Sequence, residues 1–252
     1  MDFSEKGVLV TGGARGIGRA VAQAFAARGA RVALSYRSNH EAAQETLATL
    51  AGEAHVALPG DIADPDVAAH VVERAHAELG GLDIVVNNAG VGGHHALESV
   101  SYEDWQAAWQ RILAVNLVAP ANICYCAARL MMGQGGGRIV NVSSRGAFRG
   151  EPEQPAYGAS KAGLNALSQS LAQKLAPYDI FVGVVAPGFV ETDMAAARLA
   201  GPDGEAIRRQ SPLGRVARPE DVAHAVLFLA SPGAEFATGT IIDVNGASYL
   251  RS

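Results

Sequence analysis

Tyr157 and Lys161 stand four positions apart in Pro155-Ala156-Tyr157-Gly158-Ala159-Ser160-Lys161. On a helix that spacing puts a phenol and an ammonium on one face, one turn apart. A free phenol loses its proton near pH 10, too high for ready exchange at neutral pH. A neighbouring cation and the positive end of a helix each favour phenolate and lower that value toward a catalytic range. The pair alone is a common feature of solvated helices. Ser144, 13 positions earlier at the end of an apolar run, gives it company. Its hydroxyl can face the same crevice and donate a hydrogen bond to a carbonyl oxygen. Ser143 should point to the other side of that strand.

A second chemical signal lies near the amino terminus. The first apolar run leads directly into Thr11-Gly12-Gly13-Ala14-Arg15-Gly16-Ile17-Gly18. Glycines are needed where backbone turns tightly and approaches a pyrophosphate, and a helix amino terminus offers that anion free N–H groups and a positive dipole. The strand before and the helix after supply the context that a dinucleotide site requires.

The elements that must hold these groups follow from periodicity. Residues 8–10, 31–35, 54–58, 84–86, 138–142, 181–185 and 241–244 read as buried, β-branched strands bounded by Gly, Asp or Asn. Residues 18–28, 41–50, 66–78, 105–131, 157–175 and 219–229 carry apolar residues three and four apart and read as helices. Strands alternating with helices make an α/β fold, a doubly wound (Rossmann) seven-stranded parallel sheet with helices on both faces. No repeat, charge block or linker divides the chain, so residues 1–252 are expected to form a single domain. The run Gly133-Gln134-Gly135-Gly136-Gly137 reads as a helix-to-strand turn. The long segment 188–218, with short helical stretches at 194–199 and 205–210, is expected to be a lid over a site.

Composition sets limits. Hydrophobic residues make up 49% and charged residues 18%, the balance of a compact globular chain. A formal charge of −5 offers no basic footprint, which argues against nucleic acid and anionic membranes as partners. Cys124 and Cys126, two apart on one helix, point to different sides and are expected to stay reduced. The apolar run in the amino-terminal stretch is too short for a signal peptide, and no stretch approaches a membrane span, so a cytoplasmic location is expected.

Taken in order, these motifs resemble the short-chain dehydrogenase/reductase family over essentially the whole chain. The glycine turn has the family spacing G-x-x-x-G-x-G, and Asn87-Asn88-Ala89-Gly90 follows the fourth strand. Ser144 ends the fifth strand, Tyr157 and Lys161 have Y-x-x-x-K spacing, and Pro187-Gly188 follows the sixth. The resemblance implies that Tyr157 is a general acid or base, that Ser144 positions the substrate oxygen, and that Lys161 also holds the nicotinamide ribose. It implies that Asn116 helps hold a water in a proton relay reaching the lysine. By the same resemblance, Gly12, Gly16, Ile17, Gly18, Asp61, Ile62, Asn88, Ala89, Gly90, Pro187, Gly188, Val190 and Thr192 border the cofactor, and the protein is a homotetramer.

The end of the second strand bears on which cofactor. An NAD site usually offers a carboxylate there, roughly 20 residues beyond the glycine loop. This chain reads Leu34-Ser35-Tyr36-Arg37-Ser38-Asn39, with Arg37 and Arg15 as two guanidinium groups suited to a 2′-phosphate. NADP(H) is therefore favoured over NAD(H). Substrate contacts are expected from His94, His95, Arg145, Phe148, Phe189 and Met194. No metal site is expected, because adjacent histidines diverge and no carboxylate sits at ligand spacing.

The resemblance points first to reversible hydride transfer on a small-molecule carbonyl or secondary alcohol. Many similar proteins reduce 3-oxoacyl chains carried by acyl carrier protein, whose acidity calls for a basic docking surface. Gly135 and Tyr178 stand here where those proteins have basic residues, which weakens that alternative. A catalytically silent dinucleotide-binding regulator or scaffold is the third reading, and it gives no reason to keep Asn116, Ser144, Tyr157 and Lys161 together.

Overall fold

In the computed structural model, which describes residues 1–251, seven strands form one sheet in the order β3-β2-β1-β4-β5-β6-β7, every pair parallel. The strands are β1 Gly7–Thr11, β2 Arg31–Tyr36, β3 Val56–Pro59, β4 Ile84–Asn87, β5 Gly137–Val142, β6 Ile180–Pro187 and β7 Ile241–Val244. The longer helices are α1 Gly16–Ala26, α2 His40–Ala48, α3 Pro65–Leu79, α4 Tyr102–Leu113, α5 Ala119–Gln134, a single turn α6 Gly146–Arg149, and α7 Pro155–Leu175. The chain continues through α8 Asp193–Ala200, α9 Gly204–Arg209 and α10 Pro219–Ala230. The sheet reverses its order of growth between β1 and β4, where open α/β sheets leave a crevice at their carboxyl ends.

Both faces are covered because alternate residues of each strand point to opposite sides. From β1, Val8 and Val10 join Val21 and Phe25 of α1 and Val222 and Val226 of α10. Leu9 joins the opposite layer with Val72 of α3, Ile123 of α5 and Ile139 of β5. All of these are at most 2% exposed, and each contributes about 1.5–3 kcal/mol by leaving water.

The differences from expectation have local causes. β3 begins at Val56 and not at residue 54, because Ala54 is left-handed (φ 63°) and cannot continue a strand. The helix expected over 105–131 starts at Tyr102, where the Ser101 hydroxyl accepts from the Asp104 N–H at 3.1 Å. It is then broken by a π turn, Ala114–Val118. Pro120 explains why the ladder changes there: it brings no N–H to the Asn116 carbonyl four residues before it. Gly135 (φ 90°) caps α5, so the glycine run is the expected turn. The run Tyr102–Gln134 is long and apolar enough to cross a membrane by length and composition, contrary to expectation. Half of its most apolar window is buried inside the molecule, and Ile123, Ala127 and Met131 are fully so.

A buried polar chain ties together the three elements that lead into the crevice. Asn87 and Asn141 face each other across β4 and β5, and the Asn87 amide donates to Asn141 Oδ1 at 2.8 Å. The Asn141 amide donates to Ser168 Oγ of α7 at 2.8 Å, and that hydroxyl donates on to the Leu164 carbonyl. Removing the middle member strands a donor on one side and an acceptor on the other. Asn141→Ala should therefore cost about 2–4 kcal/mol, measured by urea unfolding. Ser170→Ala, an exposed hydroxyl on the same helix, should cost under about 0.5 kcal/mol.

Candidate active site

The crevice at the carboxyl ends of β1, β4, β5 and β6 gathers the groups singled out above. Ser144 follows β5 with its hydroxyl on the open side, accepting from the Gly146 N–H at 3.0 Å. Ser143 points the other way, and its hydroxyl donates to the Lys161 carbonyl behind α7. Tyr157, half-buried in the first turn of α7, faces Ser144. Lys161 lies one turn on, 4% exposed, with its ammonium 5.9 Å from the Tyr157 ring centre and donating to the Val142 carbonyl at 2.8 Å.

The electrostatics differ from expectation in one respect. Burial pushes the Tyr157 phenol above its ordinary value, and the Glu151 carboxylate adds to that, outweighing the hydrogen bond from Ser144. Burial also brings the Lys161 ammonium down to about 8. The lowering of the phenol expected from a neighbouring cation is not the outcome: the cation's nearest partner is the Val142 carbonyl and the dominant effect on the phenol is desolvation.

Asn116 is fully buried in the π turn, and its side chain makes three of its four possible hydrogen bonds. Its amide donates to the Val91 carbonyl at 2.9 Å and to Ser160 Oγ at 3.1 Å, while Oδ1 accepts from the Val91 N–H at 2.8 Å. It clamps the loop after β4 onto α7. Gly90 lies between these groups. A β-carbon there would sit 3.5 Å from both Asn116 Oδ1 and the Lys161 ammonium.

The glycine turn fits a pyrophosphate. Gly12 (φ 63°) and Gly16 (φ 54°) are left-handed, and a β-carbon on Gly18 would overlap the Gly12 carbonyl. The amino termini of α2, α3 and α4 are capped by Asn39, Asp64 and Ser101, whereas α1 has no side-chain cap and no acidic residue in its first turn. Its first N–H groups are left for an anion. Ile17 is half-buried beside them. Thr192 packs on this turn, with its methyl 3.2 Å from where a Gly16 β-carbon would be.

The other expected cofactor residues fall around the same crevice with varied jobs. Arg37 is exposed just beyond β2 and makes no ion pair among the described residues. Arg15 is exposed and only loosely paired with Asp193 at 3.8 Å. Asp61 is exposed, accepting from the Ala63 N–H, and the cap of α3 is Asp64. Ile62 is buried in the core, so only its backbone can face a ligand. Asn88 is a strut: its amide donates to the Thr11 and Gly12 carbonyls at 2.9 and 3.2 Å. The Ala89 N–H donates to Thr11 Oγ1 at 3.0 Å. Pro187 ends β6, and Gly188 packs against Asn245. Val190 is buried and bridges to Ala217, which closes the base of the segment expected to be a lid.

The expected substrate residues divide. Met194 is exposed, as is His94, whose Nε2 is 2.8 Å from a Glu153 oxygen. Phe148 lies under the Arg251 guanidinium at 4.5 Å, and Phe189 lies 5.2 Å from both Arg145 and Arg198. His95 is a correction. It is 1% exposed, its Nε2 accepts from the Ala156 N–H, and Nδ1 is therefore the nitrogen that donates to the Gly93 carbonyl at 2.7 Å. It packs edge-on against Trp105 and fixes the start of α7. Arg145 is also buried, turned toward Gln210 and Ser248 and away from Tyr157.

Three contributors were not foreseen. Thr11, Gln154 and Ser160 hold the crevice by bonds to residues far along the chain: Thr11 to Asn88 and Ala89, Gln154 Oε1 to the Gly93 N–H, and Ser160 to Asn116. Their only sequence signal is a small polar residue inside an apolar or glycine-rich setting.

Known proteins are similar to this chain in sequence and fold. Residues 12–247 match the family described as enoyl-(acyl carrier protein) reductase. The chain is 39% identical over 250 residues to a 3-oxoacyl-[acyl-carrier-protein] reductase of Escherichia coli, covering 99% of this chain and 100% of that one. It is equally 39% identical over 253 residues to a 3alpha-hydroxysteroid dehydrogenase of Mediterraneibacter gnavus, with 98% of each covered. Among solved structures, a short chain dehydrogenase from Burkholderia cenocepacia in complex with NADP superposes with a TM-score of 0.90 at 35% identity, over 98% of this chain and 99% of that one. With this match in sequence and overall fold along almost its whole length, the chain belongs to the short-chain dehydrogenase/reductase family of oxidoreductases.

Proposed function

We propose that the protein is an NADP(H)-dependent oxidoreductase that interconverts a carbonyl and a secondary alcohol, with Tyr157 as the proton-transferring group. The observation that carries this reading is the convergence of Ser144, Tyr157 and Lys161 on one crevice beside an uncapped glycine turn. A bound nicotinamide supplies or accepts the hydride. Ser144 orients the substrate oxygen toward the phenol, which gives its proton as the carbonyl is reduced. Lys161 places a positive charge behind Tyr157, and the Asn116 carbonyl, which Pro120 deprives of its i+4 donor, is the polar group proposed to continue the relay. Segment 188–218 acts as a lid, resting through Thr192 on the glycine turn. The reading includes a homotetramer working in the cytoplasm.

Arg15 and Arg37 support NADP(H) because both guanidinium groups are exposed, Arg15 only loosely paired with Asp193, and the usual carboxylate after the second strand is missing. The substrate is a small carbonyl compound rather than a carrier-linked chain. Gly135 and Tyr178 offer no charge to an acidic carrier, and Arg138 nearby is already paired with Glu235 at 2.7 Å. The similarity to 3-oxoacyl-[acyl-carrier-protein] reductases keeps reduction of 3-oxoacyl chains as the second reading. One assay separates them: NADPH oxidation with free ketones against carrier-linked 3-oxoacyl chains, where much faster turnover of the latter would reverse the choice.

Tyr157→Phe should lower kcat by about 10²–10⁴ while leaving NADPH binding within about twofold, read by turnover and by fluorescence titration. Equal loss of both would count against the role. The pH profile follows from the two directions of shift. Lys161 is charged below about 8 and neutral above it, whereas Tyr157 stays protonated past its ordinary range. Reductive kcat/KM should therefore be level up to about pH 8 and fall as pH rises beyond it. Arg37→Ala should raise KM for NADPH about tenfold or more and leave KM for NADH unchanged, as expected for losing a charge-assisted bond to phosphate.

A further inference from the structure

A cavity of about 290 Å³ lies between the segment 188–218 and the chain that follows β7. Arg145, Phe189, Arg215, Asp221, Asp243 and Ser248 line it; the two arginines equal the two aspartates in number, but both aspartates are already paired. Arg215 is paired with Asp221 at 2.7 Å, and Asp243 with Arg251 at 2.7 Å. Arg145 remains. It is 3% exposed, and its guanidinium donates to two neutral acceptors, Ser248 Oγ and Gln210 Oε1, making no ion pair among the described residues.

Its surroundings do little to offset its charge. Arg149 on α6 and Arg198 on α8 repel it, and Glu151 attracts it from beyond ion-pair distance. Burial and the two cations hold the Arg145 guanidinium down to about 10. A guanidinium has five N–H groups in a rigid fork suited to a planar or tetrahedral anion. A buried cation among neutral partners is costly, and the cost is relieved by a counter-ion.

We infer that this cavity is an anion-binding site, anchored by Arg145, for a carboxylate or phosphate group. Arg145 directly follows Ser144 in the chain, and Phe189 and Ser248 are walls of the cavity, whose lining includes neither Ser144 nor Tyr157. The anion is either a free ion or a charged group on the substrate, and the second source rests on the function proposed above.

The test uses the purified full-length protein without cofactor, with inorganic phosphate as probe and sodium chloride at matched ionic strength as reference. Phosphate should raise the thermal midpoint of the wild-type protein saturably. Gln210→Glu supplies Arg145 with an internal carboxylate at an existing contact. It should weaken the phosphate response at least tenfold without lowering the midpoint in phosphate-free buffer. Because the glycine turn also offers N–H groups to phosphate, only the part of the response that Gln210→Glu removes is assigned to Arg145. Arg145→Gln, where it folds, should lose the same part. A wild-type response no larger than that to chloride, or an undiminished response in Gln210→Glu, would overturn the site. A ketone bearing a carboxylate and its methyl ester then separate the sources. A rise of about tenfold in KM for the acid alone in Gln210→Glu identifies a substrate group, and unchanged KM for both, with the phosphate response lost, identifies a free ion. The phosphate measurement needs no turnover, so it stands apart from the proposed catalysis.

Discussion

The crevice is organised around an ammonium that has been taken out of water. Lys161 lies almost wholly inside the molecule and has the Val142 carbonyl as its hydrogen-bond acceptor. Desolvating a cation is unfavourable, and here the backbone at the end of β5 replaces part of its hydration. That contact joins α7 to the sheet at the height of Ser144, and it limits where Tyr157, one turn earlier, can be. The Asn87–Asn141–Ser168 chain repeats the same connection deeper in the core, between β4, β5 and the middle of α7. Two polar contacts at different depths thus set both the height and the tilt of the helix that carries the phenol.

Around that helix, neutral hydrogen bonds do most of the positioning. Asn116 clamps Val91, His95 holds the Ala156 N–H, and Thr11 holds the backbone of Asn88 and Ala89. Each of these side chains is held in place by its bonds to the loops. The charged groups show the opposite arrangement. Among the described residues Arg37 and Arg145 have no carboxylate partner, one in solvent and one buried, at two ends of the crevice region.

The framework was legible in the sequence because its signals are local. Val8 to Val10 and Ile84 to Val86 are β-branched runs that stop at glycine or asparagine, and the spacing of Tyr157 and Lys161 needs only helical geometry. The departures lie where one residue acts through the backbone. Ala54 shortens β3 by adopting a left-handed conformation that nothing about alanine announces, and Pro120 interrupts a helix whose apolar period continues across it. The roles of His95 and Arg145 were illegible for another reason. Both stand in loop sequence that suggests exposure, and both are held by segments far along the chain: Ala156 for the histidine, Gln210 and Ser248 for the arginine. The phenol's shift was misjudged in sign because desolvation depends on packing that no short motif encodes.

The bridge between Val190 and Ala217 has a mechanical side. The Glu191 N–H donates to the Ala217 carbonyl at 2.9 Å and the Ala217 N–H donates to the Phe189 carbonyl at 2.9 Å, so the two stems of the long segment are already zipped. The entropy of bringing its ends together is spent when the chain folds and is not charged again at each opening. A lid made of this segment would be a flap on a fixed base, its travel set by the few dihedrals just above that base and not by the length of the loop.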